Sequence, residues 1–179
     1  MKLRVLMAAV LAAGVIATSV AYAQQPAAPV TPPDLNVVPD KMPFNIPYGT
    51  PIGVDKAQSM IQGAIAEANK RGWPENFAVV DSGGNLVAFA RMDGAALASI
   101  AIAEHKARTA AKYRRPTRAF EDAVQKFGFN YLLTLDDVIA SRGGIPLVED
   151  GKIIGAIGCS GGTGAQDEVL CMAAAGTNK

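Results

Sequence analysis

The chain has 179 residues, with 17 Lys and Arg against 16 Asp and Glu, and half of its residues are hydrophobic. A formal charge of +1 supplies no basic field for a nucleic acid. One histidine and two cysteines, with no C-x-x-C or H-E-x-x-H spacing, are too few nitrogen and sulfur ligands for a structural or hydrolytic zinc cage.

Lys2 and Arg4 precede a mostly apolar run over residues 6–20, and Ala21, Tyr22 and Ala23 form a small-x-small site. This is the pattern of a secretory signal peptide (residues 1–23) cleaved after Ala23. The run is short for a bilayer span, so no stable membrane insertion is expected after cleavage, and the product is expected to be periplasmic or secreted. Cleavage removes two of the 17 basic residues, leaving 15 against 16 acidic and a net charge of −1.

Residues 24–51 hold eight of the eleven prolines and no regular period, which reads as an extended arm. Phe44, Ile46 and Tyr48 near its end can anchor it on a neighbouring surface, so order is expected there. Residues 52–179 read as one domain. Val54, Ala57, Ile61, Ala64 and Ala68 recur at helical spacing, Glu67 and Arg71 stand at i,i+4, and Gly72 and Pro74 close the run. Residues 77–80 and 86–91 read as a strand pair around the turn Asp81, Ser82, Gly83, Gly84 and Asn85.

A second helix is expected from about residue 97 to Tyr113, stopped by Pro116, and Thr117 is expected to cap a third over residues 118–126. Residues 135–140 read as a shorter helical piece. Two apolar runs then flank Asp150 and Gly151, a two-residue hairpin signal because both positions tolerate φ > 0. The second run ends at Ser160, Gly161, Gly162, Thr163 and Gly164, where missing Cβ atoms let successive amides converge on an anion. A last helix starts at about Ala165. Two tight hairpins among helices imply an α+β class: a central antiparallel sheet covered by helices, and not a doubly wound nucleotide fold.

Gly158, Cys159, Ser160, Gly161 and Gly162 match the G-x-S-x-G elbow, but the chain's one histidine, His105, precedes the serine instead of following it. Ser160 therefore reads as a turn residue, and no catalytic residue is assigned. Asp167 and Glu168 suit the positive end of a helix better than a cation site. Cys159 and Cys171 are compatible with a disulfide or with two buried thiols. On the second helix, His105, Arg108, Thr109 and Lys112 share one side, a set that reads either as a solvated face with a Glu104 to Arg108 pair or as a ligand face.

Residues 78–95 (AVVDSGGNLVAFARMDGA), 102–122 (IAEHKARTAAKYRRPTRAFED) and 143–168 (GGIPLVEDGKIIGAIGCSGGTGAQDE) strongly resemble the GlcG/HbpS family of small, partly secreted haem-binding and haem-degrading proteins. The resemblance covers most of residues 53–175. It implies a tendency toward symmetric homo-oligomers. The positions matching the family pattern are Lys106, Arg108, Thr109, Arg115, Pro116 and Thr117, then Gly161, Gly162, Thr163, Gly164, Gln166, Asp167 and Glu168. His105 lies outside that pattern.

The leading functional expectation is an exported protein that binds haem or another tetrapyrrole. Its ligand-binding residues are His105, Lys106, Arg108, Thr109, Gly161, Gly162, Thr163 and Gly164, with His105 on the iron. A tetrapyrrole needs an apolar slot, cations for its propionates and an axial donor. Any haem breakdown would be chemistry of the iron with oxygen or peroxide. The alternative is a module that binds or senses a small organic acid at the glycine loop without catalysis, as partner of a membrane sensor.

Overall fold

A computed structural model describes residues 31–176. The expected signal peptide, its expected cleavage site after Ala23 and the part of the expected arm before residue 31 lie outside the described residues. Four helices and four strands follow in the order α1 (Val54–Arg71), β1 (Asn76–Asp81), β2 (Leu86–Arg91), α2 (Ser99–Tyr113), α3 (Arg118–Phe127), β3 (Gly144–Glu149), β4 (Lys152–Ser160) and α4 (Gly164–Ala174). The strands form one sheet in the order β2-β1-β4-β3, and every pair is antiparallel. This is the α+β architecture expected from the two hairpins. Asp150 and Gly151 both have positive φ, as the turn between β3 and β4 requires.

The two central strands are buried on both faces, so each alternate residue meets a different helical layer. Phe77, Val79, Ile157 and Cys159 pack with Ala57, Ile61, Ala64 and Ala68 of α1 and Leu170 and Cys171 of α4. Ala78, Val80 and Ala156 pack on the other side against Ala103, Ala107, Ala110 and Ala111 of α2. That second interface is almost entirely alanine, and glycine completes it. A Cβ on Gly158 would strike the carbonyl oxygen of Ala103, and one on Gly144 the carbonyl oxygen of Lys106. The α2 backbone therefore lies directly on the sheet, which fixes where its side chains can point.

The end of the arm joins the sheet. The Gly49 and Ile153 amides donate to the carbonyls of Ile153 and Pro47, each at 2.8 Å, beside the start of β4. The Tyr48 hydroxyl donates to the Lys112 carbonyl at 2.9 Å, covering one of the acceptors left open at the end of α2.

Two local expectations need correction. Residues 135–140 form no helix. A 3-10 turn spans Asn130–Thr134 instead, and Leu135 is extended. The reason lies on α2, where the Thr109 hydroxyl donates to the Asp137 carbonyl and accepts from the Ile139 amide. Those backbone groups are thus bonded to α2 and not to each other. Thr117 does precede α3, but its hydroxyl accepts from the Gly144 amide at 2.9 Å and makes no cap bond. Among the described residues no helix is long and apolar enough to cross a membrane.

Candidate functional site

Lys106 sits on the flank of α2 and is 1% exposed. Its ammonium lies 2.5 Å from Asp167 Oδ2 and donates to the Cys159 carbonyl at 3.2 Å. Asp167 stands in the first turn of α4, which a capping box fixes: the Thr163 hydroxyl accepts from the Gln166 amide, and the Gln166 side chain accepts from the Thr163 amide. The Gly162 amide donates to Asp167 Oδ1 at 3.0 Å.

Glu75 completes this buried cluster from the residue before β1. It is fully buried, and neither carboxyl oxygen has a donor within reach. Burial first, then the charge of Asp167 and a hydrogen bond with it, push Glu75 up to about 8, with Lys106 opposing. A neutral Glu75 can give its proton to Asp167, so one cation, one anion and one neutral acid share the space without net charge.

The glycine loop lies at the surface, with Gly162 and Thr163 exposed, but it spends amides on the chain itself. Its Gly162 and Thr163 amides already have acceptors in Asp167 and Gln166. Gly161 packs on Glu75, since a Cβ there would fall 2.6 Å from Glu75 Cγ, and Gly164 begins α4 beside Arg142. A cavity of about 310 Å³ lies alongside, lined by Trp73, Glu75, Gly94, Gly161, Gly162 and Gln166. An external anion at the Gly162 and Thr163 amides would have to displace Asp167 and Gln166.

The outer face of α2 is different. His105 and Arg108 are half-buried, and Lys112 is exposed. Lys112 Nζ lies 2.5 Å from Asp137 Oδ2, while Arg108 is 3.9 Å from Asp137 Oδ1 and 4.0 Å from Glu104. Desolvation, followed by the charge of Arg108, holds the His105 imidazole below its ordinary pKa. The Asp137 charge and a hydrogen bond to its backbone pull the other way. Thr109 is fully buried, with its hydroxyl used by the 137–139 segment. Of the helix residues named from sequence, His105 and Arg108 thus face outward, whereas Lys106 and Thr109 face packed protein. Lys106 links helix and loop through Asp167, inside the fold and not across an open hollow.

Glu168 is paired as well, 3.4 Å from Arg118, so the two acids after the loop serve as ion-pair partners. Among the described residues no three His, Cys, Asp or Glu side chains gather in a metal-binding group. Cys159 and Cys171 form a disulfide, settling the choice that the sequence left open and tying β4 to α4. Glu75 escaped sequence reading because a lone acid before a strand carries no local mark of burial.

A layered α+β domain with a buried ion cluster on one flank of its central helix and a half-buried histidine on the outside is what fold and site define. The chain belongs to the family described as "Haem degrading protein HbpS-like", whose model matches residues 52–176. Protein GlcG of Escherichia coli K12 is 44% identical over 104 residues, which span 58% of this chain and 77% of GlcG. The crystal structure of Klebsiella pneumoniae protein ORFY is similar at a TM-score of 0.67 and 30% identity, covering 79% of this chain and 96% of ORFY. A PduOC:heme complex is similar at a TM-score of 0.64 and 27% identity, covering 72% and 95%.

Proposed function

We propose that this protein binds haem or a related tetrapyrrole on the outer face of α2, with His105 as the iron ligand and Arg108 and Lys112 facing the propionates. The observation that carries this reading is the half-buried His105 on the outer face of α2, beside the Asp137 backbone, where desolvation holds its pKa below the ordinary value. A metal-binding imidazole needs a free lone pair on one nitrogen and gains orientation from a carbonyl on the other. Membership in the HbpS-like family and likeness to a haem complex support the same ligand class. Bound haem would supply a redox-active iron.

Exposed Ala101 and half-buried Ile102 stand one turn before His105, so one protomer provides a single wall. A second copy provides the other, which makes the working form a homo-oligomer. An organic acid at the glycine loop has less support, because two of its amides are already bonded to the chain's own acceptors. Export to the periplasm or beyond is proposed with this function. It is supported by the pattern of residues 1–23 and by the disulfide, a bond that persists in oxidising compartments.

Hemin titration of the cleaved protein, read at the Soret band, tests the proposal. The band is expected to shift with saturation, and His105→Ala is expected to remove the shift while leaving the far-ultraviolet spectrum intact. An identical titration in the variant would reject His105 as the ligand, and the absence of any shift in the natural chain would reject haem.

A further inference from the structure

At the end of α2 the chain turns through Arg114, whose φ is +55°, and places two arginines side by side before Pro116. Arg71, Arg108, Arg118 and Arg142 each have a carboxylate within 4.0 Å. Among the described residues Arg91, at the exposed end of β2, has none, and neither do the adjacent Arg114 and Arg115. Arg114 reaches only the Ile46 carbonyl, at 3.4 Å, and lies over the Tyr48 ring at 5.6 Å. The Arg115 guanidinium is sandwiched 3.9 Å from the Phe44 ring and 4.4 Å from the Phe120 ring, and its buried Nε has no acceptor.

These two arginines line a cavity of about 490 Å³ whose remaining wall is Phe44, Asn45, Ile46, Pro116, Ile145, Pro146 and Val148. No acid lines it. A volume of that order suits a small organic molecule, and a mostly apolar wall with one or two fixed polar groups is the usual make-up of such a site.

We propose that this cavity, between the end of the arm and the α2–α3 junction, binds an amphipathic monocarboxylate, its head on Arg114 and Arg115 and its apolar body against Ile46, Ile145 and Pro146. Neither guanidinium has an acid of the chain beside it, and a carboxylate supplies two acceptors in the geometry of the guanidinium fork. The aromatic rings on either side hold Arg115 flat and in place before the ligand arrives. The end of a helix would repel an anion, but the Tyr48 hydroxyl covers the Ala111 and Lys112 carbonyls there. A bare phosphate would leave the apolar wall unused, so the fit is to a charged head with a hydrocarbon or aromatic body.

This site is separate from His105: α2 runs eight residues past it, about 12 Å, before the chain turns at Arg114. Calorimetric titration of the cleaved protein with decanoate, and with decanol as the uncharged probe of equal length, tests the assignment. Decanoate is expected to saturate one site and decanol to bind at least about tenfold more weakly. Arg115→Gln, and Asn45→Asp, which sets an internal acid beside the cavity, should each weaken decanoate about tenfold, whereas His105→Ala should leave it unchanged. If Arg115→Gln does not fold, Arg114→Gln is read in its place with the same direction expected. Equal affinities for the two probes, no decanoate binding, arginine variants that bind like the natural chain, or loss of binding in His105→Ala would each overturn the proposal.

Discussion

Glu75→Gln tests the buried cluster through the pH dependence of stability. The Glu75 carboxyl is pushed from 4.5 to about 8 in the folded protein. Between those values the folded chain holds a proton that the unfolded chain has released, so stability falls as pH rises through this window. The loss begins above about 4.5 and is complete above about 8. Every tenfold gain in proton affinity on folding is worth about 1.4 kcal/mol, so the whole effect has a ceiling of about 5 kcal/mol. Gln keeps the shape, offers an N–H to Asp167 and cannot ionise. Urea unfolding of both proteins at pH 5, 7 and 9, with the disulfide intact, gives the comparison. Contributions from titrating groups outside the Glu75, Lys106 and Asp167 cluster cancel in the difference. The natural chain should lose stability relative to the variant by several kcal/mol between pH 5 and 9. Parallel curves would refute the claim that Glu75 is buried in its neutral form.

A Cβ at Gly158 meets the α2 backbone, so Gly158→Ala should destabilise by about 1–3 kcal/mol. Gly63→Ala on the exposed side of α1 meets only ordinary contact and should stabilise by roughly 0.5–1 kcal/mol; thermal melts compare the two. The disulfide joins cysteines twelve residues apart, and its reduction should cost about 3 kcal/mol, seen as a lower urea midpoint in dithiothreitol.

The fold was largely legible because its signals are local. Gly72 does close α1 in a left-handed conformation, and Asp150 and Gly151 do turn β3 into β4. Each follows from backbone freedom at one or two residues. The site was less legible because it is assembled from distant parts. Glu75, Lys106 and Asp167 come from the approach to a strand, the middle of a helix and the start of another, and only the packing of α2 on Gly144 and Gly158 brings them together. Helical spacing put Thr109 on the same side as His105 but could not show that the 137–139 segment would cover it. The 135–140 expectation failed for the same reason, since a side chain on another element took the backbone bonds a helix would have used.

The central claim is that His105 holds the iron of a bound tetrapyrrole. The chain contains one histidine, so labelling that residue type with nitrogen-15 marks a single imidazole. Pulsed electron paramagnetic resonance of the ferric complex should show hyperfine coupling from the labelled nitrogen. A bound haem without that coupling would contradict the account.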